Sequence, residues 1–204
     1  AVVSQKGGCG KTALSVHLAD CAAKAGKAVA LIDIDPQGNS YSWFETRETE
    51  NELAAAKATS ASLPELLKRL RKAKADLVII DTAPHSDREA AAAVELSDFV
   101  LVPCRPARFD LEAMPATMNI IRLTKKPPRH AIVINAAPQG NLANEAKAAL
   151  EAQGFPVMDE PITNRVAFNY AVTDGRSVQE YEPYGKAAQE IEKLYQSIKD
   201  IMDI

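Results

Sequence analysis

Residues 4–15 read SQKGGCGKTALS, and the order of elements around them decides the architecture of the whole chain. Ahead of them, Ala1 to Ser4 is apolar enough to read as a strand. Behind the glycines, Thr12 to Ala25 carries Leu14, Leu18 and Ala22 on one stripe and stops at Gly26, the pattern of a helix with a glycine end. Strand, glycine turn and helix is the order in which successive backbone N–H groups face an anion. Gly7, Gly8 and Gly10 permit the curl, while Cys9 and Ala13 contribute backbone contacts. Lys11 supplies a point charge for the β- and γ-oxygens of a nucleotide, and Thr12 a hydroxyl for Mg²⁺. One feature is irregular. The usual spacing G-x-x-x-x-G-K-[ST], counted back from Gly10-Lys11-Thr12, puts Gln5 where a glycine is expected, and a second lysine, Lys6, precedes the paired glycines. A lysine there is ordinarily a solvated surface charge.

Outward from this loop, short apolar runs alternate with helical patterns, which predicts an α/β fold: a doubly wound, mostly parallel sheet flanked by helices. Strands are expected at Ala1–Ser4, Ala28–Asp33, Asp76–Asp81, Phe99–Pro103, Ala131–Asn135 and Phe155–Met158. Further helices are expected at Ser62–Ala75, Asp87–Leu96, Asp110–Leu123, Leu142–Gln153 and Tyr184–Met202. The alanine-rich stretch Glu45–Ala61 reads as a surface loop with part of a helix. At 204 residues the chain suits one domain, 1–204, with no linker or repeat. It opens inside an apolar strand, which implies that an initiator Met and a few strand residues precede Ala1. No apolar run approaches the ~18 residues of a spanning helix and no secretory segment opens the chain, so a cytoplasmic protein is expected. Cys9, Cys21 and Cys104 are odd in number and without C-x-x-C spacing, which suits reduced, space-filling thiols. A net charge of -3 exerts no global pull on nucleic acid, so any such contact must be local.

Two acidic segments follow the loop. ALIDIDPQGN sets Asp33 and Asp35 at the carboxyl end of a strand, two residues apart and on the same side of an extended chain. DLVIIDTAP is an apolar strand ending in Asp81, a carboxylate placed to hold Mg²⁺ directly or through water.

Together these residues resemble a known family. K-G-G-x-G-K-T, from Lys6 to Thr12, is similar to the deviant Walker A motif of the ParA/MinD/nitrogenase-iron-protein group of P-loop NTPases. D-x-D-P-Q-G-N from Asp33 resembles that group's switch-I segment, and Asp81-Thr82-Ala83-Pro84 its switch II. The resemblance implies that Lys6 reaches the phosphates of a partner subunit across a nucleotide-sandwich dimer. By the same resemblance Asp35 orients the attacking water, and Asp33 lies close to the Mg²⁺ shell. Softer matches extend further: VLVPCRPARFDLEA looks like the segment lining the dimer face, and Val133-Ile134-Asn135 like the strand end where Asn135 meets adenine. TNRVAFNYAVTDGRSVQEY is similar to a late region in which an arginine-bearing turn and helix precede a G-x-x-V element, and it nominates Arg165 and Arg176 as DNA contacts. Ala13 departs from the second threonine of many relatives.

What the resemblance implies is a slow, partner-stimulated ATPase using ATP/ADP and Mg²⁺. An ATP-bound homodimer would hold nonspecific DNA in the nucleoid, and a ParB-like or small ribbon-helix-helix protein on the cargo would trigger hydrolysis. The length suits the small plasmid-partition type. Positioning of a protein or conjugation-transfer cargo uses nearly the same chemistry. A MinD-like membrane switch would need a basic amphipathic C-terminal helix. KAAQEIEKLYQSIKDIMDI instead mixes acids with its lysines, and its stripe Ile191, Leu194, Ile198 and Met202 reads as core. A small-molecule amidoligase would need a further domain. Two basic clusters, Lys68 and Lys72 on one helix and Arg122 to His130, read as solvated surface or as DNA contacts. His17, His85 and His130 lack metal-ligand spacing.

Overall fold

The computed structural model describes residues 1–48, 52–84 and 86–203. Its elements are α1 (Lys11–Lys24), β1 (Val29–Asp33), α2 (Asn39–Glu45), β2 (Leu53–Lys57), α3 (Leu63–Lys72), β3 (Leu77–Asp81), α4 (Asp87–Glu95) and β4 (Phe99–Cys104). There follow α5 (Arg108–Glu112), α6 (Met114–Arg122), β5 (Arg129–Ile134), α7 (Leu142–Ala152), α8 (Val166–Thr173), α9 (Val178–Tyr181) and α10 (Lys186–Met202).

Every strand pairing among the described residues is parallel. β1 lies between β2 and β3, and β4 pairs with β5. The expected first strand contracts to single-residue bridges, Val2 pairing with both Asp81 and Leu101. These bridges join the two groups of strands through Val2 N donating to Ile80 O at 2.9 Å and Val3 N to Leu101 O at 3.0 Å. Pairing ends there because the chain must turn into the glycine loop. The strand expected at Phe155–Met158 likewise reduces to one bridge, Val157 with Ile132.

Side chains alternate across the sheet with the period of two that strands impose. Leu31, Ile79, Leu101 and Val133 pack with α1 and α10 on one face. Ile32 and Ile80 pack with α3, and Val100, Val102, Ile132 and Ile134 with α6 and α7, on the other. Both faces are therefore apolar and covered, as a parallel sheet requires.

Two expectations need correction. The described residues of the Glu45–Ala61 stretch hold only the last residue of α2 and then β2, a strand where a loop with part of a helix was expected. Val29–Asp33 offers a free parallel edge, and pairing along Leu53–Lys57 overrides the helix preference of alanine. The helix expected over Asp110–Leu123 is split into α5 and α6. Pro115, in the first turn of α6, lacks an N–H and its ring would collide with the carbonyl four residues earlier.

Candidate functional site

The glycine loop lies at the carboxyl edge of the sheet and runs directly into α1. Gly10 is the residue before α1, with φ 96°, and Gly8 has φ 70°, both in the left-handed region that favours glycine. A Cβ on Gly10 would also collide with Nδ2 of Asn135. Asn135, just past β5, donates that nitrogen to Cys9 O at 2.6 Å and so braces the loop against the neighbouring strand end. From the other side, Gln5 N donates to Thr117 Oγ1 at 3.1 Å, and Gln5 Nε2 to Asp87 Oδ1 at 2.7 Å. The first turn of α1 has no side-chain cap and no acid, so its free N–H groups and positive dipole end are open to an anion.

The two lysines behave differently. Lys11 is 6% exposed and donates Nζ to Ser4 O and Lys6 O, each at 3.2 Å. Lys6 uses only its backbone in the loop: its carbonyl accepts from Lys11 Nζ and from Cys9 Sγ at 3.3 Å. Its half-buried side chain makes no hydrogen bond or ion pair among the described residues.

Parallel register sets Asp33 opposite Asp81, and Val2 beside Asp81, so the loop and both acids converge on one edge. Asp33 is 1% exposed, and backbone N–H groups take both of its oxygens: Asp35 N to Oδ1 and Tyr41 N to Oδ2, each at 3.0 Å. It therefore braces the turn that presents Asp35. Asp35 is half-buried and accepts Gln37 N at 2.9 Å. Asp81 is fully buried, and Ser15 Oγ donates to its Oδ1 at 3.4 Å. Burial pushes the Asp81 carboxyl up to about 7, against the nearby Thr12 and Ser40 hydroxyls and the Lys11 ammonium, which pull it down; Asp33 pushes it further up.

Asp81 Oδ2 has no hydrogen-bond partner, an orphaned buried acceptor that a cation would satisfy. No group of three or more His, Cys, Asp or Glu gathers among the described residues to hold a metal. That donor set suits Mg²⁺, which is held by one or two protein oxygens plus phosphates and waters rather than by a protein cage. Thr12 and Asp81 fit as its holders, with Asp33 behind them.

The remaining candidates lie apart from this edge. Arg165, at the start of α8, donates Nη2 and Nε to Glu190 Oε1 at 2.7 and 3.0 Å. Arg176 pairs with Asp174 at 2.6 Å and lies over the Tyr181 ring. His17 is buried, accepts Val178 N on Nδ1 at 3.3 Å and is held neutral, its pKa lowered by burial to about 3. His130 is half-buried, and His85 lies outside the described residues. All three cysteines are free and buried, and burial pushes Cys21 and Cys104 up to about 12, which keeps them unreactive thiols.

Sequence reasoning missed Ser15, Ser40 and Arg47. Ser15 was legible in principle, one helical turn beyond Thr12 and hence on the same face. Arg47 had no signal. Its side chain is buried where α1, α2 and α9 meet, bonded to Asp20 at 2.8 Å and Glu180 at 2.9 Å, and stacked on Trp43.

Comparison with known proteins agrees with this geometry. Residues 1–178 match the model of the CobQ/CobB/MinD/ParA nucleotide binding domain. Maintenance of carboxysome distribution protein A of Gloeobacter kilaueensis is 32% identical over all of this chain and 93% of the relative. Sporulation initiation inhibitor protein Soj of Bacillus subtilis is 26% identical over 93% of each chain. Among solved structures, Cyanothece McdA with ATP superposes over 100% of this chain and 95% of the other, with TM-score 0.80 at 17% identity. MinD of Pyrococcus horikoshii with Mg-ADP does so over 98% and 95%, with TM-score 0.79 at 19% identity. A braced phosphate loop, a buried unsatisfied carboxylate beside it and this match lead to one conclusion: the chain belongs to the CobQ/CobB/MinD/ParA nucleotide-binding family, with the deviant Walker A loop of its ParA/MinD branch.

Proposed function

We propose that this protein is an ATP-driven dimerisation switch that positions an intracellular cargo over nonspecific DNA. The observation that carries the reading is the contrast between the lysines. Lys11 is committed to its own loop, whereas the Lys6 ammonium makes no ion pair among the described residues. A half-buried, unpaired cation beside a phosphate loop is stabilised once a second subunit brings a triphosphate to it.

In this reading ATP binds along Gly7–Ala13, its phosphates meeting the loop N–H groups and Lys11. Mg²⁺ would be held by Thr12 and Asp81 and supply charge neutralisation at the β- and γ-oxygens. Asp35, presented by the Asp33-braced turn, orients the attacking water, and Lys6 neutralises the partner's nucleotide. Hydrolysis removes that attraction and the dimer parts. With little machinery beyond positioning and charge, turnover is slow until an activator on the cargo, a ParB-like or small ribbon-helix-helix protein, completes the site. Arginines supplied in trans raise such rates by about 10³–10⁵. Asn135 would meet the adenine beside the loop it braces.

The activator selects the cargo. Plasmid or chromosome partition is supported by the likeness to the chromosome-partitioning ATPase Soj of Thermus thermophilus, 26% identical over 97% of this chain, and a protein body by the 32% identity to a carboxysome-distribution protein. A membrane-bound switch has less support: α10 spends its apolar stripe on the core, with Ile191 and Leu194 buried. No described helix is long and apolar enough to cross a membrane.

Light scattering with ADP, ATP and a slowly hydrolysed analogue tests the switch. We expect monomers with ADP, dimers with the analogue, and analogue-bound monomers in Lys6→Ala. A monomeric wild-type triphosphate complex would remove the proposal's basis.

A further inference from the structure

α3 sits on the sheet face opposite α1 and α10, with Leu63 buried and Leu66, Leu67 and Leu70 packed on Ile32 and Ile80. That docking fixes its rotation. Lys68, Arg69, Arg71 and Lys72 are left exposed, and Lys74 joins them in the turn beyond. Five of the chain's 24 Lys and Arg side chains thus fall within seven consecutive residues of a chain whose net charge is -3. The helix is ten residues long, about 15 Å, so these cations form one compact surface.

The surface is also unneutralised. Lys68 meets Glu65 at 3.6 Å, with both side chains more than 70% exposed, a contact of little worth in water. Arg69, Arg71, Lys72 and Lys74 make no ion pair among the described residues. The two arginines nominated for DNA differ. Glu190 takes the Arg165 guanidinium through two donors, and Asp174 takes Arg176. A phosphate backbone would have to displace those acids, whereas on α3 it would displace only water and mobile ions.

We infer that the outer face of α3, with Lys74, is a docking surface for the phosphate backbone of double-stranded DNA. Charge complementarity selects the occupant. The leucines are spent on the core, so the face presents ammonium and guanidinium groups without the apolar residues that insertion into a lipid surface requires. It reads no sequence, since its contacts are to phosphate. The inference rests on the DNA-bound reading above and relocates its contact to the opposite face of the sheet from α8 and α9. In an ATP-bound dimer the face is present twice, so pairing would raise avidity without a new contact.

The test measures affinity for a random-sequence duplex across a salt series with the slowly hydrolysed ATP analogue. It compares wild type, K68Q/R69Q/R71Q/K72Q/K74Q, and R165Q/R176Q. Melting curves check folding, and R69K/R71K serves as the conservative control. We expect the α3 variant to melt like wild type, to lose at least tenfold in affinity at about 0.1 M salt, and to lose about 0.9 in the slope of log K against log salt for each cation that meets a phosphate. R69K/R71K should keep the slope. Wild-type affinity and slope in the α3 variant, with loss confined to R165Q/R176Q, would overturn the α3 surface while leaving the DNA-bound switch standing. Absence of duplex binding by the wild type in every nucleotide state would overturn both. Loss of binding to phosphatidylglycerol vesicles but not to duplex would also overturn the assignment.

Discussion

Lys11 folds its ammonium onto the carbonyls of Ser4 and Lys6, so its charge is satisfied by the same loop that would receive phosphate. Lys6 has no such arrangement, and the two substitutions should separate. Lys11→Ala should abolish nucleotide binding in a calorimetric titration, whereas Lys6→Ala should bind nucleotide and fail only to pair. Gly10→Ala tests the backbone. With φ 96° and Asn135 in the way of a Cβ, it should destabilise the protein by about 1–3 kcal/mol, read by denaturant unfolding. His17 sets a pH dependence. Its native pKa is about 3 against an ordinary 6.5, so between these values the unfolded chain binds a proton that the native one refuses. Stability from this group is complete above 6.5 and is lost as pH falls toward 3. Asp81, raised by burial, works in the opposite direction, losing stability as pH rises toward 7. The comparison of wild type with His17→Asn isolates the histidine: the variant should start less stable and lose less from pH 7 to pH 4.

α2 is the element whose role sequence reading did not anticipate. Its start is tied to Asp33 through Tyr41 N, and Trp43 Nε1 near its end donates to Arg176 O at 3.1 Å. Arg47, just beyond, has a side chain only 3% exposed, which holds Asp20 of α1 and Glu180 of α9. Glu180 is itself part of the capping box with Ser177 that starts α9. Arg47→Met would remove the cation that Asp20 and Glu180 share, and removal of one partner from a buried ion pair costs about 3–5 kcal/mol. Chemical denaturation should show a loss of that order, and Arg47→Lys should recover only part of it because a point charge cannot replace a planar fork. At this scale α1, β1, β3 and β4 were legible, since their apolar periods are strong. β2 was not, because Leu53-Ala54-Ala55-Ala56-Lys57 has a helix former's composition and becomes a strand only beside β1.

At the scale of the whole molecule, the parallel sheet is what makes a site from residues far apart in sequence. Lys11, Asp33, Asp81 and Asn135 meet because every strand ends at the same edge. Adding ATP analogue and Mg²⁺ at about 100 times the dissociation constant should therefore raise unfolding free energy by about 2.7 kcal/mol. Chelation with EDTA should withdraw much of that gain, and Asp81→Asn should reduce the Mg²⁺-dependent part. By itself the sequence determined the phosphate loop, the two acidic strand ends and the α/β alternation, because each is written in contiguous residues with a local period. Only the tertiary structure decided that Asn135 braces the loop, that Glu190 takes the Arg165 guanidinium, and that Arg69, Arg71, Lys72 and Lys74 meet no acid among the described residues. Those outcomes depend on which side chains long-range packing brings within hydrogen-bonding distance, and no local pattern of residues encodes that.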